Sequence, residues 1–188
     1  MRKFLVPLAL LAGCGPLPPS AFLPADAVQG GTDPMRGAII SSAFAFNNPG
    51  GLADPAVAAR ASANVEYLAV NIPWEVRYNS TPTVTLQLAA ARAELHQALA
   101  IAPDASPQAV VDGLYGVSRA LRVNDPVAAA NALPPAAFPD RAATLRRLTA
   151  LGPLPRTAEA TAMAESEQLR VEQERLNTTG GGDGNGRS

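Results

Sequence analysis

The chain has 188 residues, with 15 basic and 16 acidic side chains and an aromatic content of only 5%. Near-neutral charge without a basic cluster argues against nucleic acid as a partner. One cysteine and one histidine allow no internal disulfide and no zinc or copper site of familiar composition, and no cofactor is expected.

The chain opens on Arg2 and Lys3, followed by the apolar run Phe4 to Leu11, which Pro7 interrupts. Eight residues are too few to cross a bilayer as a helix, but the pattern fits an export signal. The run ends in Leu11-Ala12-Gly13-Cys14.

This ending resembles the lipobox of bacterial lipoproteins, in which a leucine and two small residues precede the cysteine at which the signal is cut. The resemblance covers only the signal peptide. It implies cleavage before Cys14, diacylglycerol on its thiol and usually a fatty acyl group such as palmitate on its amine. It also implies a place in the bacterial cell envelope, facing the periplasm, with Gly15 favouring the outer membrane over the inner one. One acyl chain binds a membrane only reversibly, whereas two or three make attachment effectively permanent. An ordinary signal cut after Ala25-Asp26-Ala27 competes, but it leaves a long proline-rich gap behind the apolar run.

Without residues 1–13, about 175 residues remain, one domain's worth. Removing Arg2 and Lys3 takes the 15 basic residues to 13 against 16 acidic ones. Membrane contact is therefore expected through the lipid on Cys14 rather than through an electrostatic surface. Residues 14–32 hold Pro16, Pro18, Pro19, Pro24, Gly30 and Gly31 and read as a tether. The stretch from Gly15 to Gly31 spans at most about 55–60 Å when extended, enough to let the domain stand off the bilayer. Leu17, Phe22 and Leu23 are the tether residues able to pack on the domain.

Residues 33–176 read as one all-α domain, an irregular bundle of six or seven helices. A small polar residue followed by proline recurs at Asp33-Pro34, Asp54-Pro55, Thr81-Pro82, Ser106-Pro107 and Asp125-Pro126. Such pairs start helices: the side chain accepts from a free N–H, and proline fits the first position, where its missing N–H has no partner to lose. Weaker starts lie near Pro139 and Pro155. The predicted helices run from Pro34 to Phe46, Pro55 to Asn71, Pro82 to Ala102, Pro107 to Val123, Pro126 to Leu133 and Asp140 to Leu151, with a polar terminal helix over 154–176. Val84, Leu88, Ala91, Leu95, Leu99 and Ala102 form the clearest apolar stripe. The short turn at Ala102-Pro103-Asp104-Ala105 predicts an antiparallel hairpin of the helices it joins. Leu169 and Leu176, seven apart with Ala162 seven before, suit either a solvated peripheral helix or a short partner-docking one. Residues 177–188 read as a disordered, glycine-rich tail.

Ile72 to Asn79 holds the only tryptophan. Read as extended chain, it puts Trp74, Val76 and Tyr78 on one face; read as a kinked helix, it groups Tyr67, Trp74 and Tyr78. These three aromatics are either core or the wall of a ligand or partner site. No catalytic residue stands out. Ser118, His96 and Asp112 lack a nucleophile elbow, and spacing does not pair Glu66, Glu75 and Glu94. The sequence points first to a non-enzymatic, lipid-anchored envelope protein that positions a partner at the membrane. A small-ligand-binding helical domain is the alternative, and a carboxylate-dependent cell-wall enzyme comes third.

Overall fold

A computed structural model of the protein describes residues 20–27, 33–78 and 82–180, without the side chains of 179 and 180. Cys14, the signal segment, the Thr81 cap and residues 181–188 lie outside the described residues. Those described form seven α-helices and no strand: α1 (Pro34–Asn47), α2 (Pro55–Asn71), α3 (Pro82–Leu99), α4 (Pro107–Arg122), α5 (Pro126–Ala132), α6 (Arg141–Leu148) and α7 (Pro155–Gly180). The fold is all-α, as the sequence predicts.

Local chemistry sets most of the starts. Asp33 accepts from the Met35 N–H, Asp54 from Ala56 and Asp125 from Ala128. Ser106 precedes Pro107 but makes no side-chain cap. Near Pro139 the order is reversed: Asp140 follows the proline and caps α6 through the Ala143 N–H at 2.8 Å. The start of α7 is capped from outside its own sequence. Glu94 of α3 accepts from the N–H groups of Arg156 and Thr157, at 3.3 and 2.8 Å, and from the Thr157 hydroxyl at 2.8 Å. A carboxylate there also meets the positive end of the helix dipole.

α2 is the central helix. It packs on α1, α3 and α4, while α7 lies across α1 and α3, and α5 and α6 close one side. Ala56, Ala58, Ala59, Ala61 and Ala63 are all buried on it, so its neighbours approach from several directions. The neighbours run antiparallel to it: Ser41 and Tyr115 both bond Asn64, and Asp33 pairs with Arg77 just beyond its end.

Three expectations are corrected. α3 and α4 do not form a hairpin; α4 packs chiefly on α2 instead. The reason lies at the end of α3, which stops at Leu99 rather than at Ala102. Ala100 takes a left-handed φ of 55°, and the Ile101 N–H closes onto the His96 carbonyl at 2.9 Å, a Schellman-type stop. The Ala102 N–H then donates to the Ala137 carbonyl at 2.9 Å, which fixes the connection before α4 begins.

α7 is not peripheral. It buries Thr157, Ala160, Thr161, Ala164, Glu167, Gln168 and Val171, a stripe of small and hydrogen-bonded side chains at helical spacing. Leu169 and Leu176 are exposed instead. The helix also continues to Gly180, so residues 177–180 belong to it rather than to a tail.

The stretch after α2 is neither extended nor a kinked α-helix. It forms two 3-10 turns, Ile72–Trp74 and Val76–Tyr78. Pro73 has no N–H to continue the α-helical ladder, so the chain tightens instead.

Candidate functional site

The aromatic trio does not converge. Tyr78 is buried and its hydroxyl donates to Gln168 of α7. Burial pushes that hydroxyl up to about 12. Tyr67 is half-buried and lines a hollow with Ala21, Phe22 and Pro34. Trp74 is 63% exposed. Tyr78 is therefore core, whereas Trp74 faces out and Tyr67 is only partly covered.

The carboxylates nominated for catalysis are each committed elsewhere. Glu94 caps α7. Glu75 pairs with Arg77, as does Asp33. Glu66 is buried in α2 and takes two partners from α3, the Arg92 Nε and the His96 Nε2, both at 2.8 Å. Arg92 and His96 are four apart on α3, so one helix face presents both to the same carboxylate. Ser118 and Asp112 do not join His96: Ser118 is buried in α4, and Asp112 accepts from Gln108. Among the described residues no group of His, Cys, Asp and Glu is placed to hold a metal ion.

The site that the sequence does not reveal is a groove between α1 and α4, floored by α2. Its volume is about 470 Å³, within the usual range for a ligand pocket. Two large apolar residues of α1, Ile40 and Phe44, lie on its wall and are exposed. Val57 and Ala61 supply more apolar surface, and Arg36, Arg60 and Arg122 stand around it. No carboxylate lines the groove.

The floor is held by a hydrogen-bond chain across three helices. The Tyr115 hydroxyl donates to the Asn64 Oδ1 at 2.5 Å. The Asn64 amide donates to the Ser41 hydroxyl at 2.8 Å, and Ser41 donates to the Gly37 carbonyl at 2.7 Å. Burial pushes the Tyr115 hydroxyl up to about 12, partly countered by the Arg60 guanidinium beside it. Arg60 Nε is buried and has no hydrogen-bond partner among the described residues. Of the other two cations, Arg36 pairs with Glu172 of α7, and Arg122 sits exposed at the end of α4. Asn64 and Arg60 carry the only advance signal, as polar residues inside an alanine-rich helix.

No family model matches the chain, and neither a curated protein nor a solved structure matches it. No described helix is long and apolar enough to cross a membrane.

Proposed function

We propose that this protein is a lipid-anchored component of the bacterial cell envelope that faces the periplasm and positions a protein partner, without catalysis, at the membrane surface. The outer membrane fits Gly15 better than the inner one. The partner seat is the groove between α1, α2 and α4. The observation that carries this reading is the pairing of exposed Ile40 and Phe44 with a rim of three arginines and no carboxylate. Such a seat suits an amphipathic helix that presents an apolar anchor and an acidic flank. Membrane attachment concentrates the seat on the surface where a partner is met.

A photo-crosslinking residue at Phe44, with a second protein labelled at Val127 as control, tests the seat in intact cells. Val127 is also exposed, on α5. The expected result is a neighbour captured from Phe44 and not from Val127, through an acidic amphipathic segment, and lost on Arg60→Gln. Equal capture from both positions, or none from Phe44, overturns the seat. For the anchor, Cys14→Ser is expected to abolish acylation and leave the precursor uncut. Normal maturation and detergent partitioning of that variant would sink the lipid assignment.

One observation favours a second reading. The unpartnered Arg60 Nε at an apolar groove also suits the headgroup of a small anionic amphiphile. A fatty acid displaced by Arg60→Gln, with no crosslinked protein, would establish it in place of the partner.

A further inference from the structure

The described stretch of the predicted tether, residues 20–27, is docked on the domain through Ala21 and Phe22. Gln108 of α4 holds both backbone groups of Phe22: its Oε1 accepts from the N–H at 2.7 Å, and its amide donates to the carbonyl at 3.1 Å. The Asn71 amide donates to the Ala21 carbonyl at 3.0 Å, and Ala21 itself is buried. The chain is thus pinned where α2 ends and α4 begins. Ser20, the first described residue, lies only six residues after Cys14. Six residues reach at most about 20–22 Å. A lipid on Cys14 therefore keeps this end of the bundle close to the bilayer, not far above it.

The same end carries a concentration of large exposed apolar side chains. Phe22 is 75% exposed, Trp74 63%, Val76 78% and Leu86 71%. Phe22 lines one hollow there with Asn71 and Tyr67, and Leu86 lines another with Pro73. The nearest cation, Arg77, is engaged by Asp33 and Glu75, so the patch has no need of an anionic surface. α7 runs past this end beyond Glu172, which pairs with Arg36 near the start of α1. Its last turns carry exposed Leu176.

We infer that this end of the bundle docks on the bilayer, with Phe22, Trp74, Val76 and Leu86 inserted at the lipid headgroups. Tryptophan and its apolar neighbours suit that depth, where one side of a ring is dry and the other wet. The short reach from Cys14 selects a lipid surface over a protein as the occupant. The inference rests on the lipid-anchor reading above. It places the groove between α1 and α4 on the flank of the docked domain, open to a partner.

The test uses the chain from Cys14 onwards, coupled through its only thiol to maleimide-bearing lipid in neutral phosphatidylcholine and phosphatidylethanolamine vesicles with brominated acyl chains. Trp74 is the only tryptophan, so its fluorescence reports the patch alone. The expected result is a blue shift and loss of most Trp74 emission to the bromines, unchanged by salt. The double variant Val76→Asp with Leu86→Asp, coupled equally and melting at the same temperature, is expected to lose both signals. Emission identical to that of uncoupled protein overturns the docking. A blue shift without bromine quenching also overturns it, because it marks a second copy as the occupant. Mass spectrometry of the protein from cell membranes tests the anchor separately. An unmodified Cys14 sinks the anchor, while the vesicle signal still decides whether the patch takes lipid.

Discussion

Glu66 shows how a single side chain can hold a helix pair together. It is 2% exposed, and its two oxygens are divided between Arg92 and His96. Breaking a buried pair by removing one partner leaves the other charge stranded, at a cost of about 3–5 kcal/mol. Arg92→Ala is expected to fall near the lower limit, about 3 kcal/mol, because His96 remains. Urea unfolding measures it, and a loss below about 1 kcal/mol would show that Glu66 is satisfied without Arg92.

Arg77 gives a pH signature at the same scale. Burial pushes the Asp33 carboxyl up, but the hydrogen bond and charge of Arg77 outweigh it and hold the group below its ordinary value. The Arg77 hydrogen bond holds Glu75 down as well. A carboxyl depressed in the folded state contributes stability that is present above its unfolded pKa. That contribution is lost as pH falls through the folded value. Arg77→Gln returns both groups towards the ordinary range of about 3.9–4.3, so the acid-side loss of stability below about pH 5 becomes shallower. Melting curves taken across that range are expected to show a smaller drop for the variant than for the parent. An unchanged pH profile would count against the pairing.

At the scale of the element, two helix ends carry testable energies. Ala100 stops α3 with a left-handed φ of 55°, which costs a residue with a Cβ roughly 1–2 kcal/mol. Ala100→Gly removes that strain but loosens the unfolded chain, so a gain of up to about 1 kcal/mol is expected by thermal or urea melts. A loss would show the position to be held by packing instead. The start of α7 depends on Glu94, and Glu94→Ala removes three hydrogen bonds from it. The expected cost is about 1–3 kcal/mol, with hydrogen exchange rising first at the α7 amides near Thr157. Exchange spread evenly over the chain would argue against a local cap.

The same scale shows what local sequence can and cannot carry. Asp-Pro pairs are read directly, because N-cap and N1 chemistry lies within three residues. The stripe of α3 is equally plain: Val84, Leu88, Ala91, Leu95 and Leu99 are buried, while Ala102 falls beyond the helix end and is half-buried. α7 is misread as peripheral because its buried face is built from Ala, Thr, Glu and Gln rather than large apolar residues. Small side chains bury well only where a neighbouring helix comes close, and no single helix reports its neighbour.

For the whole molecule, the groove and the exposed apolar end are products of arrangement. α1 and α4 both lean on α2 without packing along each other, and the space between them leaves Ile40 and Phe44 uncovered. Phe44→Ser is accordingly expected to change stability by no more than about 0.5 kcal/mol while abolishing capture at the groove. A large loss of stability would mean that the side chain is core.

By itself, the sequence determined an all-α chain, the starts of its helices and the lipobox-like ending at Cys14. Each of these is written in contiguous residues whose chemistry acts within one or two turns. Only the tertiary structure decided that α2 is central, that α4 leaves α3 and that Glu94 starts α7. It alone decided that Tyr78 is buried while Trp74 faces out, and that the tether is pinned at Phe22. These depend on pairings between residues 30 to 90 positions apart, whose energies exist only once the helices have met.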